Sequence, residues 1–138
     1  MNSATPRDPQ KWLGRKVLAR MFHEFEAELY ETALRHQPDN LDALYGLGNA
    51  YTRIGRVQEG LTIDRKLAAM FPDNPTVHYN LACSFALLSR ADDALESLHR
   101  ALDLGFDDDR LLATDPDLKT LRRDPRFQEI VSSRLPRP

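Results

Sequence analysis

The chain has one cysteine, one tryptophan and no long apolar run. A single thiol, Cys83, cannot close an internal disulfide, so the fold does not require an oxidising compartment. No stretch is long and apolar enough to span a bilayer. The start, Met1 to Pro9, has no apolar core and so does not read as a secretory leader. Charge is nearly balanced at a formal −2, which gives no general reason to expect nucleic acid or an anionic membrane. There is no glycine-rich phosphate cradle. His23, His36, His78 and His99 are scattered, with no spacing that would pair two of them on a metal. Asp107, Asp108, Asp109, Asp115 and Asp117 lack the alternating acids, central glycine and closing glutamate of a calcium loop. Cys83 has no evident histidine to activate it and reads as a small packing or lining residue. These absences argue against an enzyme, a metal and a cofactor. They leave a cytoplasmic protein of ordinary composition, with 41% hydrophobic residues, enough for one folded domain.

What the chain does contain is a period. Pro38-Asp39-Asn40 returns 34 positions later as Pro72-Asp73-Asn74. The same offset relates Leu13, Leu47 and Leu81, and then Gly14, Gly48 and Ala82, where a small residue lets two helices approach. It also relates Val17, Tyr51 and Phe85; Ala27, Leu61 and Leu95; and Ala33, Leu67 and Ala101. Each series keeps a physical type. A period of this length is that of a stacked helix–turn–helix unit.

Helical spacing of Leu44, Leu47, Tyr51 and Ile54 predicts a helix over 41–54, capped by Asn40 and stopped by Gly55. The return helix is expected over 57–71. A further pair is expected over 76–88 and 91–104, with Gly105 as the stop. The first segment is less regular. Trp12, Leu13, Val17, Leu18, Met21, Phe22, Phe25, Leu29, Ala33 and Leu34 are apolar at near-continuous helical spacing, and Met21 stands where the second unit has Gly55. Either a turn forms there without a breaker, or the segment is one helix. We expect the turn, because the register is kept on both sides. An unbroken helix would expose an apolar stripe and invite a swapped dimer. Beyond residue 106, Asp115-Pro116 and Asp124-Pro125 each place a capping acid before a proline at a first helical position. Short helices are therefore expected at 108–113, 116–122 and 125–134. Leu111, Leu112, Leu118, Leu121, Phe127, Ile130 and Val131 are suited to covering the last face of the stack.

Leu47-Gly48, Tyr51, Gly60 and Pro72, followed by Leu81-Ala82, Phe85, Ala94 and Ala101, resemble the tetratricopeptide repeat family. The tail is similar to segments that end bacterial arrays of such repeats. The resemblance implies an all-α, right-handed solenoid in one domain: a degenerate first repeat over 7–38, repeats over 41–72 and 75–106, and capping helices over 107–138. It also implies an interaction module whose first helices line a concave groove. In that register the groove residues are Lys11 and Arg15, then Tyr45, Asn49, Thr52 and Arg53, then Tyr79, Asn80, Cys83 and Leu87. Asparagine can pair a peptide unit as both donor and acceptor. Tyrosine offers a flat apolar face with a polar tip. Arg53, Lys11 and Arg15 are suited to a carboxylate. The expected partner is a protein or peptide segment; the alternative is association of the chain with itself. The family's carboxylate clamp for chaperone tails is largely missing. Lys11 fits it, but Arg15, Gly46, Thr76 and Asn80 replace the other residues.

Two features stand apart from the repeat. Asp64 falls where the parallel positions hold Tyr30 and Leu98. A buried unpaired acid is costly, so partial exposure beside Arg65 or another cation is expected. The sharper alternative is an acid that accepts a basic group from a partner. The charge is also blocked along the chain. Arg15, Lys16 and Arg20 are followed by Glu24, Glu26, Glu28 and Glu31, which read as solvated helix faces.

Overall fold

A computed structural model describes residues 9–134, with side chains described from residue 14 onward. The element order is α1 (Pro9–His36), α2 (Leu41–Arg53), α3 (Val57–Met70), α4 (Pro75–Leu87), α5 (Ala91–Asp103), α6 (Asp109–Thr114), a 3-10 turn (Pro116–Leu121) and α7 (Pro125–Arg134). Each of α1 to α4 packs on the next, and the 3-10 turn packs back on α4. The chain is thus an all-α helical solenoid, with α2/α3 and α4/α5 as its two folded-back pairs.

Local chemistry fixes the boundaries. The Asn40 side chain accepts from Ala43 N at 2.9 Å, and Asn74 Oδ1 accepts from Thr76 N and Val77 N, so the repeated asparagine caps α2 and α4. Asp115 Oδ1 accepts from Asp117 N, and Asp124 Oδ1 from Arg126 N, each at 2.9 Å. Both Asp-Pro pairs therefore act as the sequence suggests. Gly55 ends the first hairpin at φ +85°, and Ser89 occupies the matching place in the second at φ +57°.

That left-handed residue explains a departure from expectation. The matching position in the first segment is Met21, and no turn forms there: Pro9–His36 is one helix. A left-handed backbone costs a residue with a side chain about 1–2 kcal/mol, and Met21 has no local feature to offset it. The first repeat is consequently not a hairpin. Its second half, from about His23, packs on α2, while its first half runs straight past the stack. Val17 is 50% exposed, whereas Tyr51 and Phe85, one and two periods on, are buried. Ala33 is exposed although its counterparts Leu67 and Ala101 are buried, because no preceding helix folds back over it.

The core follows the period. Ala27 of α1 packs with Leu47, Ala50, Tyr51 and Ile54 of α2. Leu44, Leu67 and Val77 join α2, α3 and α4. The largest cluster joins α4 and α5 to Phe106, Leu112, Leu118, Leu121, Phe127 and Ile130, so the tail covers the last face of the stack. Leu118 and Leu121 are essentially sealed, and burial of each contributes about 1.5–3 kcal/mol. Leu111 does not join this cover. It stays 38% exposed while Leu112 is sealed, because neighbouring residues on a helix point about 100° apart and only one of them can face the core. Among the described residues, no helix is long and apolar enough to cross a membrane.

Candidate binding groove

The helices enclose an open cavity of about 1070 Å³. One wall is α1, whose Lys16, Arg20, His23 and Tyr30 recur at helical spacing along it. Tyr45, Asn49, Thr52 and Arg53 of α2 form the middle. Thr76, Tyr79, Asn80 and Cys83 of α4 follow, and Phe106, Leu111 and Asp115 to Asp117 close the far side.

Small residues let the walls approach. A methyl group on Gly46 would run into the Tyr30 ring, so α1 and α2 meet backbone to ring at that point. A Cβ on Gly48 would sit 3.1 Å from Asp64 Oδ1, and one on Gly60 would sit 3.0 Å from Thr52 Oγ1. The small residues at 48 and 60 are therefore what bring Asp64 of α3 up between the helices of the groove.

Asp64 corrects the expectation of partial exposure beside a cation. It is only 6% exposed, and Ser84 Oγ donates to its Oδ2 at 2.5 Å. Burial pushes its carboxyl up to about 6, and the Ser84 hydrogen bond pulls in the opposite direction. Arg65 instead lies over the Phe85 ring, 5.4 Å from its centre. The Tyr45 hydroxyl is raised by its own burial and then by the nearby Asp64 charge.

A second polar knot closes the far wall. Tyr79 donates its hydroxyl to Asp115 Oδ2 at 2.8 Å and stacks on Phe106 with ring centres 4.2 Å apart. Cys83 Sγ lies 3.8 Å from the same oxygen. The thiol is pushed up by burial first and by Asp115 second, and the Tyr79 hydroxyl is likewise raised, first by burial. Burial and Asp115 raise the Asp117 carboxyl, with Arg53 pulling it down. Cys83, Asp115 and Asp117 have ligand atoms within 4.8 Å of one another. As a metal site they fit poorly. Both oxygens of Asp115 already accept hydrogen bonds, and the thiol sits where its thiolate is disfavoured.

The residues expected in the groove divide accordingly. Tyr45 and Asn80 are half-buried and line it, while Asn49 and Arg53 are exposed and line it. Thr52 lines it too, but its hydroxyl is held by Gly48 O at 3.0 Å. Tyr79 and Cys83 are buried in the wall as packing residues, because Asp115 and Phe106 of the tail cover them. Leu87 is half-buried outside the lining. Arg15 is exposed on α1 and does not line the cavity, since the straight helix gives that place to Lys16 and Arg20. The Lys11 side chain lies outside the described residues. Sequence reasoning missed Lys16, Arg20 and His23. Their helical spacing opposite the apolar stripe of α1 was the available signal. The His23 Nδ1 is buried without a hydrogen bond; Glu26 Oε1 lies 3.4 Å away, close enough for an ion contact when the ring is protonated.

Residues 27–75, which span the packed half of α1, the α2/α3 hairpin and the Asn74 cap, match the family model "Tetratricopeptide repeat". An alignment of 90 positions, which covers 61% of the chain, is 28% identical to a chloroplastic protein of Arabidopsis thaliana. The matched stretch spans about a quarter (26%) of that protein's length.

Proposed function

The chain is a tetratricopeptide repeat protein, and from that premise we propose that its groove binds an extended or helical segment of a partner protein. Repeats of this family generally mediate protein–protein interaction. The observation that carries the reading is the groove's composition. Asn49, Arg53, Asn80 and Tyr45 present hydrogen-bonding and aromatic groups at its surface, above a desolvated carboxylate at Asp64. The asparagines pair the partner's backbone. Asp64, buried with no cation beside it among the described residues, receives a lysine or arginine side chain of the bound segment. The helices meet through sealed apolar contacts, so the groove is preformed and binding costs little rearrangement.

On this reading the chain is non-enzymatic and acts in the cytoplasm without a cofactor, nucleic acid or membrane. The buried, protonated Cys83 thiol supports the first point, since it is no nucleophile. A second reading, in which copies of the chain associate, is favoured by the apolar stripe on α1. It is compatible with the first because the stripe and the groove lie on opposite sides of that helix.

The test is capture of partners from the source cell by the wild-type chain and by the Asn49→Ala/Asn80→Ala double variant, with circular dichroism as a check on folding. Loss of the captured proteins with an unchanged helical spectrum supports the groove. Equal capture by both removes it.

A further inference from the structure

Val17, Leu18, Met21, Phe22, Phe25 and Leu29 are each 50% exposed or more, and all belong to α1. Scattered single exposures are normal, but six large side chains on one helix face form a contiguous patch of the kind that marks an interface. Leu18, Phe22, Phe25 and Leu29 follow one another by four, three and four residues, the spacing of a helix–helix seam. The Lys16–Arg20–His23 row that lines the groove lies about half a turn away and leaves this seam open.

The charges say what covers it. Along α1 the first half carries Arg15, Lys16 and Arg20, and the second half carries Glu24, Glu26, Glu28 and Glu31. Two copies of this helix side by side in parallel would set base on base and acid on acid. In antiparallel pairing the basic half of each meets the acidic half of the other. Antiparallel pairing also closes the seam with like on like, Leu18 against Leu29 and Phe22 against Phe25, and it does so twice about a two-fold axis. Among the described residues neither Arg15 nor Glu28 has an ion-pair partner within the chain, so each half of α1 keeps charge available to a second copy. The absent turn at Met21 is what makes this surface. A hairpin there would have cut the seam in two, whereas the straight helix keeps Val17 to Leu29 as one continuous face of about 20 Å at 1.5 Å per residue.

We propose that α1 is a homodimerisation helix, which pairs antiparallel with α1 of a second copy through Leu18, Phe22, Phe25 and Leu29, so that the basic first half of each helix lies along the acidic second half of the other. The pairing leaves both grooves open on the outer sides of the helix pair, so the dimer presents two binding sites.

Sedimentation velocity of the full chain over a range of micromolar concentrations tests this. The wild type should sediment at twice its 15.8 kDa chain mass and Phe25→Asp at the single mass, with unchanged helicity. When Leu18→Cys and Leu29→Cys chains are mixed and mildly oxidised, residue 18 of one copy should link to residue 29 of the other. The mixture reads orientation directly, because a parallel pair would link 18 to 18 and 29 to 29 instead. A wild type that stays monomeric throughout overturns the proposal. So does a dimer indifferent to Phe25→Asp, or a mixture that gives no 18-to-29 link.

Discussion

Replacing Asp64 by asparagine should stabilise the protein at neutral pH and do little in acid. The Asp64 carboxyl is raised from 3.8 to about 6 by burial, despite the hydrogen bond from Ser84. In the folded state it therefore holds a proton that the unfolded chain has already released between about pH 4 and pH 6. Stability linked to this group is fully present below the unfolded value and is lost as pH rises through the folded value. A gap of about two units, at 1.36 kcal/mol each, sets a ceiling of about 3 kcal/mol on that loss. Asparagine keeps an acceptor for Ser84 and carries no charge, so it avoids the loss. The other titratable groups facing Asp64 are the Tyr45 hydroxyl and the Cys83 thiol. Both are pushed upward from values already above this window, so neither titrates within it. The assay is urea denaturation of wild type and Asp64→Asn at pH 4, 5.5 and 7.5, at one fixed protein concentration because self-association shifts apparent stability. The difference between the two should be small at pH 4, about 0.5 kcal/mol, and reach about 1–3 kcal/mol in favour of asparagine at pH 7.5. A difference that is constant with pH, or that favours aspartate at pH 7.5, would refute the reasoning. If a partner's cation sits over Asp64, the same substitution weakens binding, so the residue trades stability for recognition.

Two further changes probe how α1 is held. Gly46→Ala drives a methyl into the Tyr30 ring and should cost about 1–3 kcal/mol in thermal or urea unfolding, the usual penalty of overpacking; trimming the ring in Gly46→Ala/Tyr30→Ala should make the pair of changes clearly non-additive, and strict additivity would disprove the contact. Tyr51→Phe removes the 2.6 Å hydrogen bond that Tyr51 donates to Glu31 of α1, beside Arg56 stacked over its ring at 4.3 Å; with Glu31 partly solvated, the loss should be about 1 kcal/mol, with faster amide exchange in the second half of α1 as the local readout.

Most of the stack was legible because its determinants are local and repeated. Asn40 and Asn74 cap, Gly55 and Gly105 stop, and Leu47, Leu81 and their series fill the same places one period apart. The Asp-Pro pairs announced the two ordered turns of the tail for the same reason, since capping acid and proline act within a few residues of themselves. The site was less legible because its decisive partners are distant in sequence. Nothing near Tyr79 or Cys83 announces that Asp115 and Phe106 will return to cover them, so a register argument left both on the groove surface. Ser84 is 20 positions from Asp64, and no local pattern marks it as the donor that lets the carboxylate be buried.

The first segment sets a small local term against a larger burial term. The repeat pattern asks for a reversal near Met21, and the apolar residues on either side fit it. The reversal also asks for one residue at positive φ, which Gly55 and Ser89 supply in the later units and a methionine supplies only at a cost of about 1–2 kcal/mol. An uninterrupted helix avoids that cost and keeps its backbone hydrogen bonds through the junction. It leaves instead the apolar face of Leu18, Phe22, Phe25 and Leu29 in water, at about 1.5–3 kcal/mol per side chain that burial would recover. The unfavourable term is therefore the larger one for an isolated copy. A second chain paired along α1, as proposed, would remove it without requiring the turn. The same balance predicts that Met21→Gly, which lowers the cost of the turn, should shift the protein towards a folded-back monomer. Sedimentation showing Met21→Gly to be as dimeric as wild type would mean that the missing turn has some other cause.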